Sequence, residues 1–142
     1  MEIADVRKRV LETIDRARRT AAGRRTRADQ AARDYDLFLE RIATPLFRQV
    51  ANALRAEGYT WSVSTPSGSV RLASDRSGED YIALTLETAG PAPEVVGHTS
   101  RARGHRVIET EQPIGRGESI PELTEQAVLD FLMKELEPFV ER

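Results

Sequence analysis

The stretch that decides the fold is Ile14–Ile42, IDRARRTAAGRRTRADQAARDYDLFLERI. Small and apolar residues recur in it at steps of three or four, which places them on one face of a helix. The members of this stripe are Ile14, Ala17, Ala21, Arg24, Ala28, Ala31, Tyr35, Phe38 and Ile42. A stripe of this width requires a partner surface, so we expect the first third of the chain to be a helical arm.

The stripe extends towards the N-terminus through Ile3, Val6 and Val10. Because a straight helix offers this stripe no obvious partner within the chain, we expect it to mediate contact between copies of the chain. Between Ile14 and Tyr35 it holds only alanines and Arg24, which bury little surface and suit close, antiparallel helix packing. The hop from Val10 to Ile14 departs from a strict heptad, as in a local stutter. The predicted oligomer interface consists of Ile3, Val6, Val10, Ile14, Ala17, Ala21, Ala28, Ala31 and Tyr35.

Gly23 leaves two arrangements of the first 56 residues open. One is a continuous helix, about 80 Å long at 1.5 Å per residue. The other is a hairpin of helices 2–22 and 27–56, with Thr26 as the N-cap of the second. We favour the continuous helix because the spacing of three and four passes through Gly23 without a change of phase.

The remainder of the chain predicts an α+β domain. Large apolar residues over 36–57 form the broad face of a core helix, with a kink or restart at Pro45 and a stop at Gly58. Five segments of alternating hydrophobicity with turns between them predict a five-stranded antiparallel meander. The segments begin at Tyr59, Val70, Tyr81, Val95 and Arg106.

A C-terminal helix capped by Thr124 follows the strands and packs with the 36–57 helix on one face of the sheet. The predicted organisation is therefore a coiled-coil-like helical arm over 1–34 and an α+β domain over 35–142. The other face of the sheet is polar and needs no cover.

Composition excludes several classes of function. The chain has 142 residues and a formal net charge of −2. It contains no cysteine, which excludes disulfide scaffolds, thiolate metal sites and cysteine nucleophiles. Residues 1–35 carry ten Lys and Arg against six Asp and Glu, so the arm is basic and the rest acidic. The sequence shows no signal peptide and no apolar stretch long enough to span a bilayer. We expect a cytoplasmic protein without a membrane partner.

The segment around the last predicted hairpin is the main candidate for chemistry. Arg101, Arg103, His105 and Arg106 fall close together and could bind phosphate or carboxylate, or simply form a solvated loop tip. A turn at 101–104 would set His98 diagonally to His105, beside Glu109 and Glu111. Two surface histidines near a hairpin turn are a commoner arrangement than a metal site, so we predict no metal.

No Walker loop, nucleophile elbow or activated serine is present, so we expect a protein without enzymatic activity or cofactor. The expected function is assembly through the N-terminal helix, with the polar sheet face and the basic hairpin presented to an unknown protein partner. One alternative is nucleic-acid binding through arginines of the arm and hairpin. The other is a small-molecule cup lined by Tyr59, Trp61 and Tyr81.

Overall fold

A computed structural model describes residues 1–141, and its helices and strands follow the expected α+β order. The elements are α1 (Ile3–Phe38), a π-helical segment (Leu39–Ala43), α2 (Thr44–Ala56), β1 (Trp61–Ser64), β2 (Ser69–Ser74), β3 (Ser77–Glu87), β4 (Glu94–Arg103), β5 (Arg106–Pro113), a 3₁₀ turn (Ile120–Glu122) and α3 (Glu125–Val140). The fold class predicted from the sequence is confirmed.

Helix α1 runs through Gly23 without a break, which confirms the continuous helix and excludes the hairpin. Thr26 does not cap a second helix; its hydroxyl donates to the carbonyl of Ala22 at 3.1 Å, a bond that threonine forms inside a helix. Alanine and arginine are strong helix formers, so one glycine among them costs about 1 kcal/mol and does not end the helix.

Pro45 changes the helix in the way its chemistry requires. Proline has no N–H to donate and its ring crowds the carbonyl four residues earlier. A π-helical segment therefore precedes Pro45, and in it the amide of Thr44 donates to the carbonyl of Leu39, five residues earlier. Pro45 then lies in the first turn of α2, where a missing donor is tolerated.

Gly58 ends the long helical segment, as expected. Its φ of 91° lies in the left-handed region that glycine adopts without a steric penalty. The amide of Tyr59 donates to Leu54 at 2.9 Å and the amide of Gly58 to Arg55 at 3.1 Å. These two bonds form a Schellman motif, which satisfies the last helical carbonyls and turns the chain towards β1.

The five strands form one antiparallel sheet in the order β1-β2-β3-β4-β5, which confirms the meander. Leu72 faces Ile82, and Leu84 faces Gly97, so one face of the sheet carries the large apolar residues of β2 and β3. This inner face packs against α2 and α3 in a single core, so both helices cover the same side.

Helix α3 packs closely against the sheet at Gly97. A side chain at this position would collide with the ring of Phe131 and touch Ile114. The hydroxyl of Thr124 accepts from the amide of Ala127 at 3.2 Å, so the predicted N-cap is present. The edge of the Trp61 ring packs on Phe139, 5.0 Å between centroids, and joins the end of α3 to β1.

Candidate functional site

The N-terminal part of α1 carries an apolar ridge that the rest of the chain does not cover. We define the arm ridge as Ile3, Val6, Val10, Ile14, Ala17 and Ala21. The exposed fractions of its four large residues are 86% for Ile3, 44% for Val6, 50% for Val10 and 41% for Ile14. The two alanines are also exposed. In the single chain, the arm ridge is therefore an apolar surface in contact with water.

Two residues predicted for the oligomer interface belong instead to the chain's own core. Ala31 and Tyr35 are buried, at 7% and 2% exposure, and Ala28 is half-buried. The stripe keeps its spacing, but its C-terminal part faces the sheet of the same chain. The prediction was wrong at Ala31 and Tyr35 because a helical stripe does not reveal whether its cover comes from the same chain or from another.

Tyr35 anchors the arm to the sheet. Its hydroxyl lies 3.0 Å from the carbonyl oxygen of Gly68 and 3.2 Å from that of Leu84, and it donates its proton to one at a time. Burial raises the pKa of the phenol well above its usual range, and the charge of Asp36 adds to this shift. The uncharged phenol thus holds α1 against β3 and the β1–β2 turn.

A cleft of about 500 Å³ lies where the arm meets the β3–β4 loop. We call it the arm cleft. Its lining residues are Thr20, Arg24, Arg27, Ala28, Thr88, Ala89, Gly90, Pro91 and Pro93. Within residues 1–141, neither Arg24 nor Arg27 forms an ion pair. A guanidinium nitrogen of Arg27 lies near Gly23, 3.4 Å from the position that a side-chain carbon would take there. The cleft combines two uncompensated positive charges with an apolar loop.

The turn between β4 and β5 differs from the one predicted. Arg103 faces Arg106, so only Gly104 and His105 form the loop, and Gly104 has a φ of 63°. His98 then faces Glu111 directly. The two histidines are not neighbours, because the turn lies further along the chain than the sequence suggested and shifts the register.

The predicted anion-binding residues lie together at the tip of this hairpin. The side chains of Arg103 and Arg106 emerge on the same side, as direct cross-strand partners do, and Arg101 lies two residues earlier on the same face of β4. In the part of the chain that the structure describes, none of the three forms an ion pair. Like charges in direct opposition repel, so an anion bound between them would lower the energy of the hairpin.

The uncovered face of the sheet carries a polar cluster of which the sequence predicted only His98 beside Glu111. The Nε2 atom of His98 lies 2.7 Å from the Thr85 hydroxyl, and its Nδ1 atom lies 3.5 Å from Glu111. Across the same face, the guanidinium of Arg71 stacks 3.9 Å from the centre of the Tyr81 ring. Strand alternation could have assigned these residues to one face, but only the register brings them together.

The predicted small-molecule cup forms only in part. Tyr59 and Trp61 line a cleft of about 400 Å³ together with Phe139 at the end of the sheet. Tyr81 is not among its lining residues, since it lies on the opposite face over which Arg71 stacks. The prediction failed for Tyr81 because neighbouring residues of a strand point to opposite faces.

Comparisons with known proteins add no assignment to these surfaces: no protein-family model, curated protein or solved structure matches the chain. Among residues 1–141, no cluster of three or more His, Asp or Glu side chains is arranged to hold a metal ion. Over the same residues, no helix has both the length and the hydropathy needed to cross a bilayer.

Proposed function

We propose that this chain is a non-enzymatic interaction protein that assembles with copies of itself through the arm ridge. The assembly presents the polar face of the sheet and the basic β4–β5 hairpin to a further protein partner. The arm holds the assembly together, and the α+β domain provides the binding surfaces.

One observation carries this proposal. Within the described residues, ten large apolar side chains are exposed, and six of them lie in the first 14 residues of the chain. These six are Met1, Ile3, Val6, Val10, Leu11 and Ile14. Most of the large apolar side chains in the rest of the described chain are gathered into one core. A concentration of apolar surface on one segment is typical of a protein–protein contact.

The energetics of an isolated helix support the same conclusion. A helix that projects into water is only marginally stable, because packing of its apolar face supplies most of the stability of helices in proteins. Burying a valine or isoleucine side chain completely contributes about 1.5–3 kcal/mol. The four large residues of the arm ridge, doubled by a second copy, are the main source of binding energy. The alanines contribute less, so we expect an assembly that dissociates on dilution.

The mass of the full chain in solution tests the proposal. Light scattering over a range of concentrations should give a mass above that of one chain, and the double variant Val6→Glu, Val10→Glu should be a monomer. The matched control is Ala4→Glu, Ala22→Glu, which makes the same charge change at exposed positions outside the arm ridge. It should retain the mass of the unmodified protein. A monomeric unmodified chain at every concentration would refute self-assembly.

The tip of the β4–β5 hairpin favours a second candidate function, which is binding to the phosphates of a nucleic acid. Arg103 and Arg106 are direct partners without a compensating acid in the described chain. Retention on a mixed DNA or RNA probe should fall steeply as salt rises, since phosphate contacts release counterions. The variant Arg103→Glu, Arg106→Glu should lose retention, whereas Arg48→Glu, Lys134→Glu, an equal charge change elsewhere, should keep most of it.

A further inference from the structure

We infer that the arm cleft is a binding site for the N-terminal turn of a second copy, whose arm lies antiparallel to the first. This inference rests on the proposed self-assembly and adds its orientation and register. In this arrangement each copy inserts the start of its helix beside the β3–β4 loop of the other. Both clefts are filled by the same contact, as in a two-fold dimer.

The order of large and small residues along the arm favours the antiparallel orientation. The large members of the arm ridge occupy its first half, whereas alanines occupy its second half. An antiparallel pair sets Val6 and Val10 against the small Ala21 and Ala17, which suits close packing of the two helices. The facing layers are Ile3 with Arg24, Val6 with Ala21, Val10 with Ala17, and Ile14 beside Ile14 of the other copy.

The chain's own sheet opposes the parallel orientation. Ala31 and Tyr35 continue the face that the arm ridge begins and are buried in the chain's own core, where the Tyr35 hydroxyl reaches the carbonyl of Leu84 in β3. In a parallel pair in register, both sheets would occupy the gap between two helices whose axes lie about 8–10 Å apart. An antiparallel helix instead enters this gap from the open end and stops at the β3–β4 loop. The free length, Ile3 to Arg24, is about 30 Å at 1.5 Å per residue.

Charge complementarity identifies what the arm cleft accepts. Arg24 and Arg27 provide two positive charges without an ion pair in the described chain. In the antiparallel register, Glu2 of the second copy lies on the flank that carries these arginines, and Ile3 lies over the aliphatic stem of Arg24. The acidic and apolar N-terminal turn thus matches the basic and apolar lining of the cleft.

Disulfide trapping tests the orientation directly, because the chain contains no cysteine. Three single variants are used in full-length protein: Val6→Cys, Ala21→Cys and Ile14→Cys, with Glu12→Cys outside the arm ridge as the control. After mild oxidation, intact mass shows which two chains are joined. Only side chains that face one another approach the Cβ separation of about 4 Å that a disulfide needs.

The inference predicts that a mixture of the Val6→Cys and Ala21→Cys proteins yields the mixed disulfide in excess over either self-linked product. Ile14→Cys should link to itself far more than Glu12→Cys does. Self-linking of both Val6→Cys and Ala21→Cys, at the expense of the mixed product, would show a parallel pair. That result would overturn the antiparallel register and leave self-assembly standing. Linking no better than that of the control, in a chain that is monomeric by mass, would overturn both.

A charge exchange tests the occupant of the arm cleft. Glu2→Arg or Arg24→Glu alone should weaken the dimer by roughly fivefold, since exposed ion pairs are weak but each occurs twice. The combination Glu2→Arg, Arg24→Glu should restore most of the affinity, measured by sedimentation at several concentrations. If the combination is weaker than either single variant, the two residues do not face each other and the proposed register is wrong.

Discussion

The arm and the α+β domain use the same helical face in opposite ways. In the arm, Val10 and Ile14 are exposed, whereas in the domain Tyr35 and Phe38 are buried on a continuation of the same stripe. The spacing of residues is the same in both regions, and the difference lies in what covers them. An amphipathic pattern therefore identifies a face to be covered, and the tertiary structure shows which part of it the chain covers by itself.

The largest expected difference between the two regions is in the free energy of unfolding lost when a helical leucine is replaced by alanine. Leu132 is fully buried in the core, and Leu11 is exposed on the arm. Leu132→Ala should lower the free energy of unfolding by about 2–5 kcal/mol, because it leaves a cavity. Leu11→Ala should change it by less than about 0.5 kcal/mol. Denaturant unfolding at a concentration where the chain is monomeric measures both. Equal losses would mean that the arm folds as part of the core.

A substitution at Gly97 tests how tightly α3 packs against the sheet in the α+β domain. Gly97→Ala would force its new methyl group into the ring of Phe131, so α3 must shift away from the sheet. We expect a loss of about 1–3 kcal/mol in the free energy of unfolding. Gly78→Ala is the control, since no atom lies within contact distance of a side chain there. A neutral Gly97→Ala variant would contradict the close approach of α3.

Tyr35 marks the boundary between the two regions, and its ionisation makes the boundary sensitive to pH. The pKa of the folded-state phenol lies above the ordinary value near 10, so its stabilising effect is complete below about pH 10 and is lost as the pH rises further. Tyr35→Phe should cost about 1 kcal/mol at neutral pH through the lost hydrogen bond.

The Tyr35→Phe variant should also show a smaller decline in stability above about pH 10 than the unmodified chain, because its ring has no proton to lose. The measurement is denaturant unfolding at a series of pH values. Tyr59→Phe, at an exposed position, is the control and should follow the unmodified chain. An identical alkaline decline in Tyr35→Phe would assign that decline to other groups.

Gly23 gives the smallest expected effect and tests the independence of the arm. Gly23→Ala should stabilise the arm helix by up to about 1 kcal/mol and slow hydrogen exchange of its amides roughly fivefold. The free energy of unfolding of the domain should not change. Ala22→Gly should accelerate the same exchange by a similar factor. Slower exchange throughout β3 and β4 in Gly23→Ala would show that the arm and the domain open together.

Much of the fold could be predicted from the sequence because local signals agreed with the tertiary structure. The stop at Gly58, the N-cap at Thr124 and the alternation of Ile82 and Leu84 each depend on neighbours within a few residues. The π-helical segment before Pro45 was only partly predictable. Proline requires a change of hydrogen bonding, but it does not specify which change the surrounding core permits.

The candidate sites were less predictable, because they depend on register. The β4–β5 turn lies at Gly104 and His105 instead of at 101–104, and this shift was enough to separate the two histidines and to place His98 opposite Glu111. The stacking of Arg71 on Tyr81 and the positions of Arg24 and Arg27 beside the β3–β4 loop join residues that are distant in sequence. No local pattern encodes these contacts.

By itself, the sequence determined most of the secondary structure of this protein and the faces of its helices and strands that needed cover, because hydrophobic periodicity and the backbone preferences of glycine and proline act over a few residues. Only the tertiary structure decided that the stripe from Ala31 onwards belongs to the chain's own core while the arm ridge stays exposed. The physical reason is that burial depends on which surfaces meet in space, and a stripe carries no information about its partner.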